Sequence, residues 1–284
     1  MSRGWVMLVM TKGRERTRSR PLHAYERIAQ DLEAEIENGT WSPGDMLPTL
    51  PELEQRFGAS RITVRGALEQ LTQRGFVYTG YKGRRGTIVR RRGRTTILAT
   101  LPLRPDRNPC GHDAFTEVAD SLHLQPTKKF ELRREAPSAD VSSRLGISPD
   151  SLVVVRETRQ MLDDEPWSIE TSYYPVELAK EVGLDTPHDI PEGTIRALAA
   201  AGHPEISWVD EVADGTADAD EAHRLSIPVG SSLLIQTRTA STAQRVTRVT
   251  RYLRLGQRNV LMWEIGDESG VEMIRRTRTG VNRS

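Results

Sequence analysis

Apolar residues recur at spacings of three and four in three stretches near the amino terminus. The pattern predicts one helix within residues 21–39 and a shorter one within residues 50–58. Ser60 is the predicted N-cap of a third helix, whose apolar residues share one face while Arg61 and Arg65 lie on the other. Two short strands around a glycine-rich tip follow. The pattern therefore predicts three helices and a β-hairpin wing.

The rest of the chain alternates short helical stretches with strands rich in β-branched residues. Residues 144–155 align without gaps on residues 224–235, and each copy is a helix end, a turn and an apolar strand. Each strand is followed by a turn, at Asp163 and near Ala243, and by a second strand. The duplication predicts a pseudo-symmetric α+β domain whose sheet is completed by both halves.

Charge is distributed unevenly along the chain. The 284 residues contain 40 Lys and Arg against 39 Asp and Glu, a net charge of +1. Residues 1–94 hold 18 basic and 10 acidic residues, a net of +8, and residues 95–284 hold 22 and 29, a net of −7. A uniformly basic protein is excluded, while the asymmetry predicts a polyanion bound to the first part. Chance clustering of solvated charge is the alternative that charge alone leaves open.

Cysteine and hydropathy patterns limit the class of protein. The single cysteine, Cys110, excludes an intrachain disulfide and a multi-cysteine zinc site. No apolar run approaches the roughly 18–20 residues of a membrane-spanning helix, and the apolar stretch 5–10 is shorter than the core of a secretory signal. The histidines after residue 100 show no metal-ligand spacing. We therefore expect a cytoplasmic protein with no membrane partner, no metal and no cofactor.

The second and third helices, joined by a tight turn, predict a helix-turn-helix that enters a major groove. Arg61 and Arg65 can each offer a bidentate fork to guanine, while Ser60 and Thr63 can reach phosphates. Residues 82–94 hold seven Lys or Arg and no acid, so the wing can track phosphates or enter the minor groove. For one arginine a solvated surface charge is the simpler interpretation, but the whole set favours DNA binding.

The helices and wing also share a specific set of positions with a known family. They are Tyr25, Ile28, Leu32, Ile36, Gly39, Pro43, Gly44, Leu47, Pro48, Leu53, Phe57, Gly58, Ser60, Arg61, Thr63, Val64, Arg65, Ala67, Leu68, Leu71, Gly75, Gly86, Thr87 and Val89. This pattern resembles the winged helix of GntR-family bacterial transcription regulators. The resemblance implies that residues of the third helix and of the wing face operator DNA. The candidate DNA-binding residues are Ser60, Arg61, Thr63, Arg65, Lys82, Arg84, Arg85, Gly86 and Thr87.

Several segments after residue 111 match a second pattern. They are Leu145-Gly146, Asp163 to Pro166, residues 169–173 with Pro175, Leu234-Ile235 and Arg238-Thr239. Together they resemble the UTRA effector domain of the HutC-like branch of GntR regulators. The resemblance implies a fold similar to chorismate lyase that binds a small ligand rather than transforming it.

The resemblance places Glu170 in the ligand pocket, and strand alternation puts every second residue on the same face. Members that bind phosphorylated sugars often carry an Arg-x-Arg pair before the hairpin turn, where this chain has Thr158 and Gln160. For Glu170 and Arg238 a structural ion pair or an exposed strand charge is an equally open interpretation. The candidate effector-binding residues are Glu170, Arg156, Arg159, Ser172, Tyr174 and Arg238.

The predicted fold class is α+β: an N-terminal winged helix-turn-helix and a C-terminal chorismate-lyase-like antiparallel sheet flanked by helices. The predicted organisation is a disordered basic extension (1–20), a winged helix (21–93), a linker that can begin as a strand (94–111), an effector-binding and dimerisation domain (112–267) and a tail (268–284). The predicted function is a homodimeric, effector-responsive transcription regulator, a repressor without enzymatic activity. Two alternatives stay open: a constitutive DNA-binding regulator with a degenerate pocket, and a chorismate-lyase-like enzyme.

Overall fold

The computed structural model describes residues 23–79, 86–91, 93–103 and 113–281 of the chain. The helices are α1 (Ala24–Glu37), α2 (Leu50–Phe57), α3 (Arg61–Gln73), α4 (Ala114–Ser121), α5 (Ala139–Leu145), α6 (Val176–Val182), α7 (Thr194–Ala200), α8 (Ala219–Leu225) and α9 (Glu268–Val281), with a 3-10 helix at Leu101–Leu103. The strands are β1 (Val77–Thr79), β2 (Thr87–Val89), β3 (Thr95–Leu98), β4 (Pro126–Glu135), β5 (Val153–Leu162), β6 (Glu165–Pro175), β7 (Ser207–Thr216), β8 (Ser232–Ser241), β9 (Val246–Leu255) and β10 (Asn259–Met262). Helices dominate up to β1 and a six-stranded sheet dominates from β4 onward, which confirms the α+β class.

The three predicted amino-terminal helices are present, and capping residues set their ends. At the start of α2 the Thr49 N–H donates to the Glu52 carboxylate at 2.7 Å in a reciprocal capping box. Ser60 caps α3 as predicted, because its hydroxyl accepts the Thr63 N–H at 3.3 Å. Gly58 ends α2 in the left-handed conformation, with a φ of 57°. The chain therefore turns tightly from α2 into α3.

One apolar core joins these helices to the β1–β2 hairpin. Its fully buried members are Ala29, Leu32, Leu53, Val64, Ala67, Leu71 and Val77. Burying each leucine stabilises the fold by about 1.5–3 kcal/mol relative to leaving it exposed. Ion pairs of Arg56 with Glu35 and of Arg74 with Glu33 attach the later helices to α1. This packing holds α3 with its apolar face inward and its opposite face at the surface.

The wing is the antiparallel pair β1–β2, in which Tyr78 lies opposite Ile88. Its tip, residues 80–85, lies outside the described residues. Gly86 has a φ of 141°, and a Cβ added there would lie 2.9 Å from Met46 Sδ. The backbone conformation therefore favours glycine at this position.

The large sheet has the antiparallel strand order β4-β5-β6-β9-β8-β7. Two three-stranded units meet at the β6–β9 pair, and α5 and α8 precede the middle strand of each unit. The predicted duplication therefore corresponds to a pseudo-symmetric sheet. The predicted turn at Asp163 and Asp164 connects β5 to β6, with φ values of 50° and 63° that are typical of a tight hairpin.

The two faces of this sheet are covered differently. On one face α5 and α8 pack against apolar residues, including Val155, Ile169 and Leu233. The other face is apolar at one end, where α6 packs on Val154 and Tyr174. Across its middle that face is polar, because cross-strand partners point to the same side of a sheet and here they are mostly polar.

The segment predicted as a linker begins inside the carboxyl-terminal fold. β3 pairs in parallel with β10, with Thr95 opposite Asn259 and Leu98 opposite Met262. The described part then continues through the 3-10 helix to Leu103. Residues 104–112 lie outside the described residues, as does the predicted extension at 1–20.

The predicted tail at 268–284 contains the helix α9, which the sequence analysis did not anticipate. Val271 of α9 is buried, and Arg275 pairs with Glu264 at 2.6 Å. Met273 and Ile274 of this helix are 70% and 62% exposed, so its apolar residues lie largely at the surface. Neither α9 nor any other helix in the described part of the chain is long and apolar enough to cross a membrane.

Candidate functional site

The exposed face of α3 carries four residues predicted to contact DNA. Arg61 and Arg65 are both exposed and lie one helical turn apart, opposite the core. Ser60 and Thr63 lie at the amino end of the same helix, with their hydroxyl oxygens 2.9 Å apart. The four residues therefore lie on one accessible surface. This is the part of a recognition helix, its first turns, that contacts base edges and phosphates.

Ile62 is an exposed apolar residue on this surface that the sequence analysis missed. It is 85% exposed and lies between Arg61 and Thr63. In a major groove an apolar side chain can contact the thymine methyl group. The helical periodicity of the sequence could have identified Ile62 as exposed, since position 62 falls on the polar face of an amphipathic helix.

The remaining predicted DNA contacts belong to the wing. Lys82, Arg84 and Arg85 lie outside the described residues. Gly86 directly precedes β2 and Thr87 begins it, on the return from the tip. The structure therefore positions the return strand of the wing and leaves its basic tip undescribed.

Arg90 at the base of the wing is buried, although the sequence analysis counted it among the charges available to DNA. It is 3% exposed, its Nη2 donates to the Ser226 carbonyl at 2.8 Å, and its Nε lies 3.3 Å from the Glu165 carboxylate. Burial lowers the pKa of Arg90 to about 10, with Glu165 opposing the change. That part of the basic-wing prediction is wrong, because Arg90 joins the wing to the carboxyl-terminal sheet.

A cavity of about 310 Å³ opens on the polar face of the sheet, beside a smaller chamber of about 80 Å³. The chambers share lining residues, including Phe115, and together are called the cavity below. Its floor follows one row of cross-strand neighbours: Thr158, Glu170, Tyr252 and Gln236. A concave site of this size and polarity suits a small molecule.

Residues outside the sheet complete the walls of the cavity. The larger chamber is lined by Phe115 of α4, by residues 193–196 around the start of α7 and by Leu103 of the 3-10 helix. The smaller chamber is lined by residues 97–99 and by Pro102. The segment that leads from the winged helix to the sheet is therefore also a wall of the cavity.

Two buried ion pairs fix arginines along the cavity. Arg248 donates its Nε and Nη2 to Glu205 at 2.9 and 3.0 Å. Arg238 donates to Asp210 at 2.7 and 2.6 Å and to the Ala99 carbonyl at 2.8 Å. Although burial acts to raise it, the paired arginine holds the pKa of each carboxyl partner below its ordinary value.

Glu170, at the centre of the floor, has no cation within ion-pair distance among the described residues. Gln160 Nε2 donates to its carboxylate at 3.0 Å. Burial raises the pKa of the Glu170 carboxyl, and the charge of Arg248 opposes that rise. Within the described ranges, no group of three or more His, Cys, Asp and Glu side chains could hold a metal ion.

Both parts of the chain match known families. Residues 24–89 match the model of bacterial regulatory proteins of the gntR family, and residues 122–258 match the UTRA domain. The chain belongs to the GntR family of bacterial regulatory proteins. It is a DNA-binding transcription regulator that combines a GntR winged helix with a UTRA domain.

Relatives of this GntR-family chain are similar over most of their length. The transcriptional repressor NagR of Bacillus subtilis is 29% identical over 221 residues, which cover 77% of this chain and 84% of the relative. The histidine utilization repressor of Klebsiella aerogenes is 27% identical over 253 residues, which cover 89% and 98%. The crystal structure of PhnF from Mycobacterium smegmatis superposes with a TM-score of 0.51 at 20% identity, covering 85% of this chain and all 100% of PhnF, and shows the same fold.

The cavity of the UTRA domain collects most of the predicted effector residues. Arg156, Glu170, Ser172 and Tyr174 line the larger chamber, and Arg238 lines the smaller one with Glu170. Arg159 is not among the lining residues, because it follows Thr158 in β5 and points to the other face. Its assignment to the cavity is wrong.

Two of these arginines are held by the protein itself. Arg156 donates to the carbonyls of Leu184, Thr186 and His188 at 2.9, 2.7 and 2.7 Å, so it shapes the loop after α6. Arg238 is held in its ion pair, the structural interpretation that the sequence left open.

Strand β9 contributes residues to the UTRA cavity that the sequence did not predict. Arg248, Tyr252 and Arg254 line the cavity from alternate positions of this strand. Trp208 of β7 also lines the larger chamber. The two-residue period of β9 was visible in the sequence, but it does not reveal which face of the sheet carries a cavity.

Proposed function

We propose that the chain is a repressor whose affinity for operator DNA is set by a small effector bound in the cavity. The names of two relatives, the NagR repressor and the histidine utilization repressor, support repression rather than activation of transcription. The exposed residues of α3 and the wing would contact DNA. A homodimer would place two such helices on half-sites one helical turn apart.

The observation that carries this proposal is the dual role of residues 97–103. They connect the winged helix to the sheet, and several of them line the cavity. A ligand that contacts these residues binds some arrangements of the winged helix better than others. Differential affinity of that kind is what shifts a conformational equilibrium.

A second connection supports the same coupling. Trp167 lines the smaller chamber, and the Arg258 guanidinium lies 5.1 Å from the centroid of its ring. Arg258 pairs with Glu165 at 2.5 Å, and Glu165 also faces Arg90 at the base of the wing. Side chains thus form a continuous series of contacts from the cavity to the wing.

The test uses the full-length chain and an operator selected in vitro from random DNA. Metabolites that raise the melting temperature of the free protein are then added to the protein–DNA complex in a fluorescence anisotropy titration. We expect the ligand to weaken operator binding, and operator DNA to weaken ligand binding by the same factor. A ligand that stabilises the protein but leaves operator affinity unchanged supports the constitutive alternative.

Two variants sharpen this experiment. Arg90→Met removes the contact between wing and sheet, so it should reduce the coupling factor while leaving ligand affinity without DNA unchanged. Arg94→Met is the matched control, because Arg94 is an exposed arginine close in sequence that makes no ion pair with another described residue. An equal loss of coupling in both variants would contradict the role given to Arg90.

A further inference from the structure

Arg254 is a buried guanidinium without a carboxylate partner among the described residues. It is 6% exposed and lines the smaller chamber. Its Nη1 donates to Gln236 Oε1 at 3.1 Å, and the guanidinium stacks 4.3 Å from the centroid of the Tyr252 ring. Burial lowers the pKa of Arg254 to about 10, which leaves it positively charged at neutral pH. The two groups in direct contact with it are uncharged, and the carboxylates of Glu170 and Asp210 act on its charge only from beyond ion-pair distance.

Glu170 presents the opposite case in the same chamber. Its hydrogen-bond donor is the neutral amide of Gln160, at 3.0 Å. Arg248, Arg254 and Lys128 favour the ionised form of Glu170 only from beyond ion-pair distance. The carboxylate therefore gains a direct charged partner when a cation or a strong donor enters the cavity.

The sheet register sets the spacing of these two charges. Glu170 lies opposite Tyr252, and Arg254 lies opposite Ser168, on the same face of the β6–β9 pair. Glu170 and Arg254 are therefore diagonal neighbours, typically about 7–8 Å apart between Cα atoms, and no ion pair joins them. A small molecule between them can contact both, with Tyr252 beside it.

We propose that the cavity takes a small zwitterion, with its carboxylate on the Arg254 guanidinium and its protonated nitrogen on the Glu170 carboxylate. The proposal rests on the proposed function in one respect, since it names the chemical class of the effector of that cavity. Each end of the ligand would neutralise one buried charge, and the connecting carbons would lie along the Tyr252 ring.

A phosphorylated sugar fits these charges poorly. The floor positions where phosphosugar-binding members of the family often carry arginine hold Thr158 and Gln160. Lys128, another cation of the larger chamber, already pairs with Asp113 at 2.5 Å and Asp189 at 3.1 Å. A dianionic phosphate on Arg254 would lie near the Glu170 carboxylate on the same face of the sheet, whereas a zwitterion can contact both groups favourably.

The experiment measures binding to the full-length chain by calorimetry and thermal shift, without DNA. The probes are ω-amino carboxylates from glycine to ε-aminohexanoate, the matching carboxylates and amines that lack one group, and glucose 6-phosphate. We expect one chain length to bind, and each single-group analogue to bind at least about 10-fold more weakly, the loss of one charge-assisted contact. This comparison needs no variant and so does not depend on variant stability.

Two substitutions assign the ends of the ligand. Arg254→Met should make the amino carboxylate and the plain amine bind equally well, and Glu170→Gln should do the same for the amino carboxylate and the plain carboxylate. Arg251→Met is the control, because Arg251 belongs to the same strand but is exposed near Glu221, at 3.8 Å. If Arg254 or Glu170 were merely structural, its substitution would weaken the binding of all probes alike instead of abolishing the preference for one functional group.

The outcomes separate this inference from the proposed function. Preferential binding of glucose 6-phosphate, or no binding by any amino carboxylate at roughly 10 mM, where even a millimolar Kd gives near saturation, overturns the inference and leaves effector control by another ligand intact. An amino carboxylate that binds with the expected selectivity but leaves operator affinity unchanged supports the inference and overturns the proposed function.

Discussion

The arginines of α3 and those of the cavity are the same residue type in opposite surroundings. Arg61 and Arg65 are exposed on a helix surface, whereas Arg248 and Arg254 are 2% and 6% exposed. An exposed arginine keeps its donors available to an extended polyanion such as DNA. A buried one needs a partner, because an unpaired charge in a low-dielectric interior is costly. The surroundings of an arginine, more than its residue type, therefore decide whether it is suited to contact DNA, to stabilise the fold or to bind a ligand.

Breaking a buried pair should have the largest effect on the free energy of unfolding. Arg248→Met leaves the Glu205 carboxylate, whose side chain is 0% exposed, without its cation. We expect a loss of about 3–5 kcal/mol, as is typical when one partner of a buried ion pair is removed. Urea unfolding of the purified protein measures it.

Arg251→Met provides the control for this measurement. It removes the same charge from the same strand, but from an exposed side chain, where substitutions usually change stability by less than about 0.5 kcal/mol. Equal losses in the two variants would contradict the structural role of the Arg248 pair.

Removing an exposed arginine from α3 should have a smaller effect, and on a different quantity. Arg65→Ala should weaken operator binding by about 1–3 kcal/mol, the usual value of a bidentate base contact, and leave unfolding unchanged because Arg65 is exposed. A gel-shift titration at fixed salt measures it. Arg276→Ala on α9 removes an equal charge from an exposed site and should not alter affinity. Unchanged binding by Arg65→Ala would remove α3 from the DNA interface.

The sequence predicted the winged helix more completely than the cavity, for a physical reason. Ser60 capping, the inward face of α3 and the exposure of Arg65 all follow from neighbours within one or two helical turns. Arg90 shows the limit, because its burial depends on Glu165 and Ser226, which only the folded chain brings near.

The cavity depends on such distant neighbours throughout. Alternation in β9 predicts that Tyr252 and Arg254 share a face, but not that residues 97–103 lie above them. Glu170, which the family resemblance assigned to the pocket, lines the cavity, whereas Arg159, a candidate because it is close in sequence, does not. Charge patterns likewise do not reveal which arginine is paired: Arg238 has Asp210, while Arg254 contacts only neutral groups among the described residues.

The pH dependence of stability should distinguish two buried carboxylates of the cavity, Glu205 and Glu170, because their contributions have opposite signs. The pKa of Glu205 is lowered in the folded state, so its contribution to stability is present above its ordinary value near 4.5 and is lost as pH falls through the folded pKa. The pKa of Glu170 is raised, so its contribution is present below 4.5 and is lost as pH rises through the folded pKa. Glu205→Gln should therefore destabilise the protein most at neutral pH, and less in acid.

Glu170→Gln should change the pH profile in the opposite direction. Its stability relative to the wild type should rise from acid to neutral pH, since a neutral amide avoids the buried charge that Glu170 acquires above its folded pKa. Urea unfolding at several pH values between about 4 and 8 compares the two variants. Protein stability is usually greatest, or begins to fall, within this range. Parallel pH profiles for Glu170→Gln and Glu205→Gln would mean that Glu170 is paired like Glu205. That result would contradict the distinction between the Glu205 carboxylate, which the fold pairs with Arg248, and the Glu170 carboxylate, which is proposed to bind a ligand.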